Sequence, residues 1–229
     1  MIIGIQFLAW TVGGLYFSWT DLDKVHGSDL IAPAPELDGD VELVPVELAL
    51  KNLSGFDHSQ IRRLELLPIS NTAAVFKLNY TSASGEPESQ LFDALTGLPR
   101  SGLNEEESRD LAIARYSGVG ELIETDLIEA TGSHDEYREL PLPAYAFTFN
   151  DNRGTRIYVA PEHARVTSVR NSNWRVFDFL WMMHTMDYEG RDNFNNLLLR
   201  AFAMFGLLTL LSGFALFLVS SKVVRHATR

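Results

Sequence analysis

Two charge-free apolar runs bracket this chain and decide most of what it can become. Residues 1–20 contain no Asp, Glu, Lys or Arg, and neither do residues 201–221. An uncharged, mainly apolar stretch of about 20 residues fits the hydrocarbon core of a bilayer, where an ion would be costly. Four of the 19 basic residues (Arg200, Lys222, Arg225 and Arg229) follow Leu199. The other 15 face all 30 acidic residues in the segment between the runs, a net charge of −15. That segment reads as a water-facing acidic domain, whose field repels nucleic acid and anionic headgroups. The expected partners are the lipid bilayer and membrane protein subunits, with no nucleic acid.

Charge also sets the expected topology. The one short basic flank is the tail at 222–229, with Lys222, Arg225, His226 and Arg229, and positive flanks stay in the cytoplasm. Two spans then place both termini inside and the domain outside, which in a bacterium means an inner-membrane protein with a periplasmic domain. The first run, residues 1–20, lacks a basic leader and a small-residue cleavage pattern and ends in Tyr16 and Trp19, so an uncleaved anchor is expected rather than a signal peptide. It begins flush with Met1, and a start codon placed too late is one expectation from that. The second run, residues 197–221, carries Gly206, Gly213 and Ser220 every seven residues. Such a stripe lets another helix approach closely, and Gly13 and Gly14 of the first span are the natural partner surface.

The middle is expected to be α+β. Residues 21–42, with Pro33, Pro35, Asp38, Gly39 and Asp40, read as a linker. Block 43–102 opens with a helix over 46–53 after Pro45, ending near Gly55. Strands follow at 61–67, 73–80 and 90–94, with Phe76, Leu78 and Tyr80 alternating as in a half-buried strand. Block 103–172 opens with Asn104 as N-cap, Glu105 to Glu107 at the positive helix end and Glu107 at the capping-box position. Strands are expected at 120–130, 145–149 and 155–159, with 165–169 continuing the last. Both blocks read helix, strand, strand, strand, a tandem repeat of about 60 residues. Residues 173–195 read as an amphipathic helix at the membrane interface. Phe177, Leu180, Trp181 and His184 form its apolar stripe, Arg175 and Asp178 an i, i+3 pair, and Asp187 and Arg191 further polar positions. Trp19, Trp174 and Trp181 are the expected interfacial anchors, and His184 a hydrogen-bonded one.

Leu91-Phe92-Asp93-Ala94-Leu95-Thr96-Gly97 resembles the terminal strand and Thr-Gly turn of the PepSY domain. Ile157-Tyr158-Val159 is similar, but Pro161 to Ala164 stand where a glycine turn belongs. With Asp23-Lys24-Val25-His26-Gly27 and the run from Trp174 to Asp187, nearly the whole chain resembles membrane-anchored PepSY proteins. The resemblance implies tandem PepSY-like repeats between an N-terminal and a C-terminal transmembrane helix. Three functions follow from it as expectations. The leading one is a non-catalytic accessory subunit of a membrane redox or metal-uptake complex. The others are a haem-binding electron-transfer subunit of a ferric or siderophore iron reductase and a regulator or inhibitor of an extracytoplasmic peptidase. The haem reading makes His26 and His184 axial ligands of a haem b.

The residues themselves point away from catalysis. Gly-x-Ser-x-Gly, His-Glu-x-x-His, phosphate-loop and dinucleotide-binding patterns are absent. There is no cysteine for a thiolate site. Neither apolar run contains a histidine to hold a haem within the membrane, so no cofactor, metal site or catalytic residue is expected.

Overall fold

In the computed structural model, which describes residues 2–52, 60–82 and 84–220, six helices and eight strands alternate along the chain. In order they are α1 (Ile2–Trp19), α2 (Leu22–His26), α3 (Val46–Lys51), β1 (Ile61–Pro68), β2 (Ala74–Thr81), β3 (Pro87–Asp93) and β4 (Pro99–Arg100). There follow α4 (Glu105–Arg115), β5 (Leu122–Ile128), β6 (Ala144–Phe149), β7 (Arg156–Ala160), β8 (Arg165–Arg170), α5 (Ser172–Thr185) and α6 (Leu197–Ser220). Met1, Leu53 and Gly55 at the expected end of the first helix, His58, Ser221 and the tail at 222–229 with His226 lie outside the described residues. Contacts divide the chain into two compact units, Thr20–Val176 and Met1–Trp19 with Phe177–Arg229.

The unit Thr20–Val176 is α+β, with two antiparallel four-stranded sheets ordered β1-β2-β3-β4 and β5-β6-β7-β8, each preceded by a helix. Local chemistry explains where the elements begin. Asn104 Oδ1 accepts the Glu107 N–H at 2.9 Å while Glu107 Oε2 accepts the Asn104 N–H at 2.8 Å, a closed capping box worth about 1 kcal/mol. The same Glu107 carboxylate pairs with Arg100, whose Nη1 donates at 2.8 Å. After β3, Asp93 Oδ1 accepts from the Leu95 and Thr96 N–H groups and the Thr96 hydroxyl, and Gly97 turns the chain at φ 74°.

Three expectations change. Strand β2 is buried on both faces rather than half-buried: Val75 and Lys77 are as covered as Phe76 and Leu78. Phe76 and Leu78 pack with Ala49 and Leu50 of α3. The opposite face, through Val75 and Leu91, joins a core containing Leu111 and Ala112 of α4 and Phe147, Ile157 and Val159 of the second sheet. Each sheet also has a fourth strand. Residues 165–169 do not continue β7; they turn back through the 3₁₀ turn Pro161–His163 and Ala164 at φ 50°, and β8 pairs antiparallel with β7. The two-residue β4, too short to show periodicity, pairs Arg100 with Leu91. Within the stretch read as a linker, Val25 and Leu30 are buried, and Ile31 bridges Tyr116.

In the other unit, α6 has 24 residues, about 36 Å of helix, and none of them is buried. Among the described residues it is the one helix long and apolar enough to cross a membrane. Against it packs α1, through Phe7 on Phe202 with ring centroids 4.7 Å apart.

Candidate functional site

Side chains from α1 and α5 converge on the notch left by the paired glycines of α1. The His184 imidazole stacks on Trp10 at 4.6 Å and 10° and meets the edge of Phe17 at 5.4 Å. Its Nδ1 lies 3.2 Å from the Trp10 carbonyl oxygen, which can only accept, so Nδ1 carries a proton. A Cβ on Gly13 would lie 3.6 Å from His184 Nδ1, and one on Gly14 3.6 Å from its Cε1. The glycine pair therefore admits an imidazole, which corrects its expected role as the surface facing the small residues of α6. Nearby, Gln6 donates to the Met183 carbonyl at 3.2 Å and accepts from the Tyr188 hydroxyl at 3.3 Å, so this amide in an apolar helix is satisfied.

The rest of the expected interfacial stripe also packs against α1. Phe177 and Trp181 lie 4.9 and 5.6 Å from the Phe17 ring. Trp181 Nε1 donates to Asp192 at 3.1 Å. The expected Arg175–Asp178 pair is not formed: Arg175 binds Glu136 through Nε at 2.5 Å, and Asp178 pairs with Arg191. Trp19 is 80% exposed, but Trp174 is buried beneath Arg170, whose guanidinium carbon sits 4.1 Å from the ring. Its indole is thus enclosed by protein, which corrects the expected anchoring role.

The stripe on α6 divides. A Cβ on Gly206 would lie 3.4 Å from Phe7 Cζ, whereas one on Gly213 meets nothing within 4 Å. Ser220 donates back along its own helix, to the Phe217 carbonyl at 3.4 Å. Phe7, Gly206, Thr209, Leu210, Gly213 and Phe217 line an open apolar groove of about 610 Å³.

The two histidines of the haem reading fall in different units. His184 is taken up by stacking and a carbonyl, and His26 is exposed at the last position of α2, in the other unit. Of the two, only the His184 imidazole has its ring faces and Nδ1 engaged by protein groups. Glu105 to Glu107 serve the helix start, with Glu105 paired to Arg109 at i, i+4. Among the described residues no group of three or more His, Asp or Glu is placed to hold a metal ion.

One buried polar contact has no signal in the sequence. Lys77, 7% exposed on β2, places Nζ 3.2 Å from Nδ1 of His163 in the turn before β8. An ammonium has only donors, so Nδ1 accepts and His163 is neutral, with its proton on Nε2. Burial lowers the lysine pKa, helped by Arg165 and opposed by Glu65. Burial also lowers that of His163, helped by Lys77 and Arg165 and opposed by Glu162. A histidine whose folded pKa is depressed leaves the unfolded chain to take the proton first. Its stabilising contribution is present above about pH 6.5 and is lost as pH falls through the lower folded value. The unfolding midpoint is therefore expected to drop between about pH 7 and 5, and His163→Gln, which keeps an acceptor for Lys77, to flatten that slope. Tryptophan fluorescence during denaturant titration reads both; an unchanged slope in the variant sinks the assignment.

Comparison with family models, curated proteins and solved structures gave no match to this chain.

Proposed function

We propose that this chain is a membrane-anchored accessory subunit that crosses the bilayer twice, through α1 and α6, and holds its acidic α+β unit on the outer, periplasmic side. The observation that carries the reading is α6 itself. It is long enough for the hydrocarbon core, free of acidic residues and nowhere buried by its own chain, and it presents a groove around Gly213 that its own residues leave open. The basic residues after Ser221 support a cytoplasmic C-terminus, and the −15 charge of the middle suits an aqueous compartment. The two helix-plus-four-strand halves support a reading as PepSY-like repeats, and the small-residue face of α6 docks into a membrane complex of the redox or metal-uptake kind.

Gentle detergent extraction, with size measurement and mass-spectrometric identification of co-purifying chains, tests this. A stable complex is expected. Gly213→Leu adds bulk where a Cβ meets nothing within 4 Å among the described residues and should reduce the recovered partner at least about tenfold without lowering the unfolding temperature. Gly206→Leu strikes Phe7 and is a poorer probe, since it disturbs the chain's own packing. A lone monomer, or undiminished recovery with Gly213→Leu, overturns the proposal.

A further inference from the structure

Strand β5 forms one edge of the second sheet, and its outer side has no ladder partner among the described residues. Such an edge offers unpaired N–H and C=O groups to any extended chain that can approach it. Two large apolar side chains stand exposed on it, Ile123 at 63% and Leu127 at 52%, with Val119 at 93% just before. The charge is one-sided. Residues 118–130 contain Glu121, Glu124, Asp126 and Glu129 and no Lys, Arg or His. Asp126 is paired with Arg156, while Glu121, Glu124 and Glu129 form no ion pair among the described residues.

We propose that the β5 edge receives an extended, cationic segment of a protein partner, which adds a strand to the sheet with its lysines or arginines beside these carboxylates. The proposal rests on the reading of the chain as an accessory subunit and names what its outer unit would hold. Backbone bonding supplies affinity and the alternating side chains supply selectivity, the usual division when a strand is added to an edge. The register shift between Leu122 and Glu124 confines regular pairing to residues 124–128, so the partner segment is short. A second copy pairing through the same strand would align carboxylate with carboxylate, which disfavours it. The opposite edge, β8, is hemmed in by α2: Gly27 leaves only 2.9 Å between its would-be Cβ and Val169 Cγ1.

The test uses the full chain in detergent micelles with a short peptide alternating lysine and valine, read by hydrogen exchange and fluorescence anisotropy. Slowed exchange confined to 124–128 is expected, with binding at least about tenfold weaker for Glu124→Lys. A peptide of equal charge alternating lysine and proline cannot pair and should give no protection. Equal binding of the proline peptide, protection elsewhere, or none overturns the proposal, as does a dimer of the free chain that Glu124→Lys disperses. Peptide protection in a chain that extracts as a lone monomer would leave this inference standing and remove the membrane-complex reading; a partner complex without protection does the reverse.

Discussion

Asn171→Ala should destabilise the unit Thr20–Val176 by about 2–4 kcal/mol, visible as a lower denaturant midpoint with little change in slope. Asn171 is fully buried between β8 and α5. Its amide donates to the Lys24 and Val25 carbonyls at 3.3 and 3.4 Å, and its Oδ1 accepts the Trp174 N–H at 3.1 Å. Alanine removes a helix cap and takes this partner from the Val25 carbonyl and the Trp174 N–H, the costlier way to lose a hydrogen bond. Collapse onto the gap is restricted, because Gly27 at φ 71° is already against Val169. A midpoint within about 0.5 kcal/mol of the parent, the ordinary range for surface substitutions, would show that water replaces the amide without loss.

Arg191→Met should cost about 3–5 kcal/mol in the other unit. The Asp178 side chain is 6% exposed and that of Arg191 18%, so removing the cation takes an ion-pair partner from a carboxylate that solvent hardly reaches. The loop offers little slack: Arg191 sits at φ 72° and its carbonyl accepts from Thr185 at 3.2 Å. Asp187 takes the N–H groups of Gly190 and Asn193, which hold its pKa below the usual carboxylate value. The double variant Asp178→Asn/Arg191→Met should recover a substantial part of the loss, since the buried carboxylate that lost its cation is then neutral as well. Thermal unfolding in detergent measures the cycle, and equal losses in the single and double variants would place the cost in packing rather than charge.

The sequence was most informative where a feature depends on neighbours along the chain. The N-terminus of α4 is encoded within four residues, Asn104 to Glu107, and the Thr96-Gly97 turn within five; both formed as read. Features that depend on distant partners were legible only in kind. Gly13 and Gly14 announce a close approach, but the approaching group is an imidazole 170 positions later. Trp174 has the profile of an interfacial indole until Arg170 and Arg138 arrive over its ring. The reversal that makes 165–169 a separate fourth strand was hidden because it uses Ala164 in a left-handed conformation that favours glycine. Lys77 and His163 lie 86 residues apart, and no spacing rule connects a lysine in a strand with a histidine in a turn.

The core shared by the two sheets has a consequence for how the acidic unit comes apart. Ile69, Val75 and Leu91 from the first half are buried with Phe147, Ile157 and Val159 from the second, and Arg100 of β4 is tied to Glu107 at the start of α4. Severing the chain near residue 102 would leave each fragment with an uncovered apolar face and would part Glu107 from Arg100. By topology the unit counts as two, but by cooperativity it counts as one: neither half can melt while the other stays folded, and a partner that steadies one edge steadies the whole.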